Sequence, residues 1–82
     1  MANVTLPRGV AVDLYAATGI TPGVQLRVGN LSTSDVRLST SEAGLVNDHR
    51  VMGPYQAAEN DLGDLQAWAL SVTGGGINVR EA

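Results

Sequence analysis

The stretch WALSVTGGGINVREA, residues 68–82, decides how this chain is read, because three consecutive glycines, Gly74, Gly75 and Gly76, stand between two alternating segments. A glycine run can cradle a phosphate by presenting backbone N–H groups at the mouth of a helix, but that use also calls for a lysine and a following Ser or Thr. The chain has no lysine, and Ile77-Asn78-Val79-Arg80 alternates apolar and polar residues as a strand does. On the other side Trp68, Leu70 and Val72 alternate with Ala67, Ala69 and Ser71. Glycine supplies the positive φ that hairpin turns demand. The run therefore reads as the turn of a closing hairpin, residues 66–72 with 77–81.

Outward from that hairpin the chain is a series of strand-like segments with turn chemistry between them. Val4 and Leu6 alternate until Pro7-Arg8-Gly9 interrupts them. Val10, Val12, Leu14 and Ala16 form one face of the next segment, with Asp13 and Tyr15 on the other. Residues 18–23 carry Gly and Pro and read as a loop. Val24, Leu26 and Val28 alternate with Gln25, Arg27 and Gly29, and Val36, Leu38 and Thr40 with Arg37 and Ser39. The polar NLSTS between these two segments, residues 30–34, suits a hairpin connection.

Residues 42–64 break the pattern. Leu45, Val46, Val51, Met52 and Tyr55 are scattered among Gly44, Gly53, Pro54 and Gly63 without a period of two. A short strand is expected over 50–52 and a helical turn over 57–59. Six or so short strands joined by tight turns predict an all-β fold, a small antiparallel β-sandwich or barrel forming one domain over 1–82. Its core is expected to hold Val12, Leu14, Leu26, Val28, Leu38, Trp68, Leu70 and Val79. A competing α+β reading needs a helix within 42–64, where the glycines and Pro54 are unfavourable.

At 82 residues the chain buries only about 60–65% of its unfolded surface, so the core is thin and association with itself or a partner is the expected reinforcement. Cysteine is absent and His49 is the only histidine, which leaves neither disulfides nor a His-rich metal cluster. Five arginines against eight acids give a net charge of −3, the wrong sign for a nucleic-acid or anionic-membrane binder. No apolar run is long enough to span a bilayer, and MANVTLPRGV lacks the features of a secretory signal.

Candidate chemistry is sparse. Asp48 and His49 are neighbours, and Glu59, Asn60, Asp61 and Asp64 follow, but adjacent side chains point apart on extended backbone and the acids lack the spacing of a calcium loop. The hydroxyls of Ser32, Thr33, Ser34, Ser39, Thr40 and Ser41 have no Gly-x-Ser-x-Gly elbow and suit turns and strand faces. Tyr15, Tyr55 and Trp68 could line a glycan platform. The sequence thus assigns no catalytic, cofactor-binding or metal residue, and the chain reads as a non-enzyme. Arginine without lysine points instead to protein interfaces, where its planar fork pairs carboxylates. The expected interface residues are Arg8, Arg27, Arg37, Leu45, Val46, Arg50, Val51 and Tyr55, with Leu31 also partly exposed and 42–64 as the partner-facing loop.

The ending AWALSVTGGGINVREA, the opening VTLPRGVAVDLYAATGI and the following PGVQLRVGNLSTSDVRLS resemble small structural proteins of tailed bacteriophages. The shared pattern is an initial strand, a Leu-Tyr strand, a Gly-x-x-Leu-x-Val-x-Asn strand, a Ser-x-x-x-Val-x-Leu strand and a glycine-rich closing turn; residues 42–64 have no counterpart in it. The resemblance implies a virion component assembled in the host cytoplasm. Its partners would be copies of itself and capsid or tail proteins, with neither nucleic acid nor membrane. A capsid decoration or cement protein is the first expectation. A tail-, neck- or fibre-associated subunit, or a glycan-binding surface module, is the alternative.

Overall fold

The computed structural model describes residues 2–82. Eight strands and two short helices follow one another: β1 (Ala2–Leu6), β2 (Val12–Asp13), α1 (Leu14–Thr18), β3 (Leu26–Asn30), β4 (Val36–Ser39), α2 (Gly44–Asn47), β5 (Arg50–Met52), β6 (Ala57–Glu59), β7 (Trp68–Leu70) and β8 (Gly75–Glu81). Each strand pairs antiparallel with the strand that mirrors it in the chain: β1 with β8, β2 with β7, β3 with β6 and β4 with β5. Pairings of β3 with β8 and β4 with β7 complete two four-stranded sheets, in the orders β1-β8-β3-β6 and β2-β7-β4-β5. A long hairpin wrapped on itself in this way has jelly-roll connectivity. The all-β expectation holds, as an open sandwich of two sheets.

The core lies between the sheets. Leu6, Leu26, Val28, Ile77 and Val79 enter it from the first sheet, and Val36, Leu38, Met52, Ala67 and Ala69 from the second. Leu14 and Tyr15 join it, with Val12 packed partly buried at its edge.

The glycine run is not a hairpin turn. β7 and β8 belong to different sheets, so residues 71–74 carry the chain across the sandwich, and residues 31–35 do the same between β3 and β4. Gly74 supplies a φ of +85° for the crossing, and Gly75 is needed for close approach: a Cβ on it would stand 2.8 Å from the Cβ of Ser32. Sequence alternation could not distinguish the two cases, because both require strand, turn, strand.

Three other expectations change. The segment running from Val10 to Ala16 is not one strand: Asp13 Oδ1 accepts from the Tyr15 and Ala16 amides at 3.1 and 3.3 Å, capping α1, which Gly19 ends at φ +75°. Residues 57–59 form strand β6 and not a helical turn, drawn into the sheet by pairing with Arg27, Val28 and Gly29. The 42–64 segment is therefore structured, with α2, β5 and β6 inside it.

The face of β7 is also inverted. Ala67 and Ala69 point into the core, whereas Trp68 and Leu70, expected there, are only half-buried. Their register partners are Ser39 and Arg37, on the outer face of the second sheet, across which α2 packs against β4 and β7. Arg37 Nη1 donates to the Leu45 carbonyl at 3.2 Å and Ser39 Oγ to the Asp48 carbonyl at 2.9 Å, fixing that helix in place. Two alanines suffice inward because leucines, isoleucine and methionine from the other strands fill the space between the sheets.

Two substitutions test these packing statements. Gly75→Ala forces the Ser32 loop to move, and it lowers stability by about 1–3 kcal/mol in urea unfolding; a free hairpin turn would tolerate it. Asn30→Ala removes a buried amide that bonds three backbone carbonyls, and costs about 2–4 kcal/mol by the same assay.

Candidate functional site

The two ends of the sandwich differ in chemistry. At one end four loops meet: 7–11, 31–35, 53–56 and 71–74. They are joined by backbone bonds from Gly9 to the Ser71 carbonyl (2.8 Å), from Leu31 to Gly76 (3.0 Å) and from Asn30 to Gln56 (2.8 Å). The Asn30 side chain, 1% exposed, sits beneath them. Its Nδ2 donates to the carbonyls of Ser34, Gly53 and Met52, and its Oδ1 accepts from the Ser32 amide and hydroxyl.

Each of these four loops exposes one large apolar side chain, Val10, Leu31, Tyr55 and Val72, with Tyr55 70% exposed. Only Arg8 and Asp35 among their residues carry charge. The end is thus an apolar, nearly uncharged surface on an anchored frame.

Tyr55 stands in an uncommon backbone conformation. Four β-turns, closed by amide-to-carbonyl bonds from Val10 to Pro7, Val24 to Thr21, Asp64 to Asp61 and Gln56 to Gly53, have a positive φ at their third residue. In three of them that residue is glycine: Gly9, Gly23 and Gly63. In the fourth it is Tyr55, at φ +60°, the one described non-glycine residue with a positive φ. An aromatic held there costs on the order of 1–3 kcal/mol. The turn imposes it from both sides, because Pro54 precedes Tyr55 and Gln56 Oε1 accepts from the Gly53 amide at 2.8 Å.

Toward the other end, a polar cleft of about 310 Å³ opens between the start of β5 and the end of β6, with Ser39, Asp48, His49, Asn60, Asp61 and Asp64 in its lining. Its loops are held by Tyr15, whose hydroxyl donates to the Val24 carbonyl at 2.7 Å and accepts from Asn60 Nδ2 at 2.9 Å. Asn60 Oδ1 in turn takes the Leu26 amide at 2.7 Å. Tyr15 is thereby 5% exposed and committed, which removes it from any glycan platform. Ser39 Oγ is spent on the Asp48 carbonyl, and His49 Nδ1 is buried without a hydrogen-bond partner among the described residues. No three acidic or imidazole side chains among the described residues converge as metal ligands would.

The expected interface residues do not form one surface. Leu45 is 2% exposed beneath α2 and belongs to the packing of that helix, while Val46 beside it is 75% exposed. Arg37 is half-buried and holds Leu45. Arg50 donates to the Glu59 carbonyl at 3.1 Å, and Val51 is half-exposed on the β5 edge. Arg8 lies at the loop end, with Tyr55. Arg27 and Arg80 face each other across β3 and β8 on the outer face of the first sheet, with Glu59 3.5 Å from Arg27. Alternation assigns Val10 and Val72 to strands, but the turn bond from Val10 to Pro7 and the sheet crossing at 71–74 bring both to the surface.

No family model, curated protein or solved structure matches this chain.

Directly opposed like charges destabilise a sheet. Arg80→Thr is expected to raise stability by a few tenths to about 1 kcal/mol in denaturant titration, the gain shrinking as salt screens the pair.

Proposed function

We propose that the protein is a structural, non-catalytic module that works by binding protein surfaces through its apolar loop end. Capsid decoration is the setting that the sequence resemblance implies, with a tail or neck position as the variant of the same role. The observation that carries this reading is the convergence of Val10, Leu31, Tyr55 and Val72, one from each of four loops cross-linked by backbone bonds and by Asn30. Exposed apolar side chains gathered on one face mark interaction surfaces, and a frame already rigid loses little entropy on binding. Jelly rolls build capsid and lectin domains among others, so the connectivity is compatible with the virion role and by itself selects none. The commitment of Ser39 and Tyr15 to structural hydrogen bonds also favours binding over chemistry at the polar cleft.

The test is the copy number of this polypeptide in purified virions, measured by quantitative mass spectrometry against the major capsid protein. Hundreds of copies are expected for a decoration protein and a few dozen at most for a tail or neck subunit; absence removes the virion role. In the same preparations a Leu31→Ser/Val72→Ser double variant should be retained at least about tenfold less well, a loss of roughly 1.4 kcal/mol, with an unchanged far-ultraviolet circular dichroism spectrum. Undiminished retention would remove the loop end from the interface.

A further inference from the structure

We propose that the loop end joins this protein to a second copy of itself, with Tyr55 of each copy seated in a recess of the other. This rests on the reading of the loop end as a binding surface and names its occupant.

The knob is Tyr55. Its three counterpart turns use glycine at the same position, so the fold has no need of a side chain there. The ring is 70% exposed and its hydroxyl makes no hydrogen bond among the described residues, so little intramolecular contact offsets the strained φ of +60°. Strain of this kind persists where a side chain must be presented outward.

The hole opens at the same end of the sandwich, between the loops 31–35 and 71–74. A recess of about 310 Å³ runs from the loop end onto the outer face of the second sheet, lined by Asp35, Arg37, Val51, Val72 and Thr73 among others. That volume is at the bottom of the range for ligand sites, about 300–1,000 Å³, and suits one large side chain better than a small-molecule ligand. Val51 and Val72 supply apolar walls for a ring, and Asp35 and Thr73 supply oxygens for a phenol, which is the division of polarity that tyrosine brings.

Charge marks this as the end at which two copies can meet. The chain carries −3, yet of its eight acids only Asp35 lies in the four loops, where Arg8 balances it. Two copies meeting there bring together neutral, self-complementary ends and keep the other acids apart. With knob and recess near one end, each copy can give and receive the same contact, as a two-fold interface requires. A standard interface takes about 800 Å² from each partner. That is about a sixth of the 4513 Å² surface, so the contact takes in the outer face of the second sheet beside the recess as well as the loop end.

The experiment is sedimentation velocity of the full chain, Tyr55→Gly and Val72→Asp over a wide concentration range, together with thermal unfolding and particle retention of each. The native chain is expected to dimerise, and both variants to raise the dimer dissociation constant at least tenfold. At concentrations where both proteins are monomeric, Tyr55→Gly should melt higher than the native chain by about 5 °C, because the turn strain is gone. A native chain that stays monomeric throughout overturns the proposal. So does a Tyr55→Gly variant that dimerises as tightly as the native chain, or one whose monomer melts lower. If the chain is monomeric but either variant loses particle retention, the second-copy occupant fails and the binding-surface reading stands. If retention is also unchanged, both fail.

Discussion

A single carboxamide organises the end of the sandwich at which the chain crosses between sheets. Asn30 closes β3, in the first sheet, and its side chain reaches the carbonyls of Met52 and Gly53, at the end of β5 in the second. It also binds Ser34 and Ser32, so the loop that follows it folds around it. The Gly53 carbonyl also accepts from the Gln56 amide and the Ser34 carbonyl from the Ser32 hydroxyl, so the carboxamide ties bonds made within separate loops into one set. An aliphatic residue could fill the volume but could not hold three loops in register. The apolar side chains above it gain fixed positions from this bond set.

The nested pairing of strands has a second consequence. β7 and β8 are central strands of different sheets, so the last part of the chain pairs with β2 and β4 in one sheet and with β1 and β3 in the other. Each central strand must suit two partners and two faces. β8 meets this with Ile77 and Val79 inward and Asn78 and Arg80 outward. β7 meets it in the opposite sense to its hydrophobicity, with alanines inward and Trp68 and Leu70 on the face where α2 packs. The helix makes a second, smaller apolar layer outside the sandwich, in which Leu45 is buried apart from the main core. A thin domain thereby buries surface on both sides of one sheet, which its size makes valuable.

Rigidity and charge are distributed unevenly. The loop end has Asn30 and three backbone cross-links, and the opposite end has Tyr15 and Asn60 as its fasteners. Most acids gather away from the loop end, so the exposed Leu62 and Leu65 stand among charges whereas the apolar side chains of the loop end do not. Tyr55 is where local preference and the observed backbone conflict most clearly. Such conflicts are expected where a protein meets something else, since folding alone would select glycine there.

The all-β class, most strand positions and the inward set Leu26, Val28, Leu38 and Val79 are legible in the residues alone, because alternation with a period of two is a local property of the chain. The sequence also contained signals that could have been read better: Asp13 followed by Gly19 brackets a short helix, and the Pro54-Tyr55 pair in a glycine-type turn marks the exposed aromatic. The choice of strand partners, the crossing of residues 71–74 between sheets and the outward face of Trp68 follow from long-range packing. Those outcomes depend on partners distant in the chain, since a strand's two faces are equivalent until something covers one of them. The loop-end surface was illegible for the same reason. Val10, Leu31, Tyr55 and Val72 are separated by up to 62 positions in the numbering, and only the nested pairing of strands brings their loops to one end.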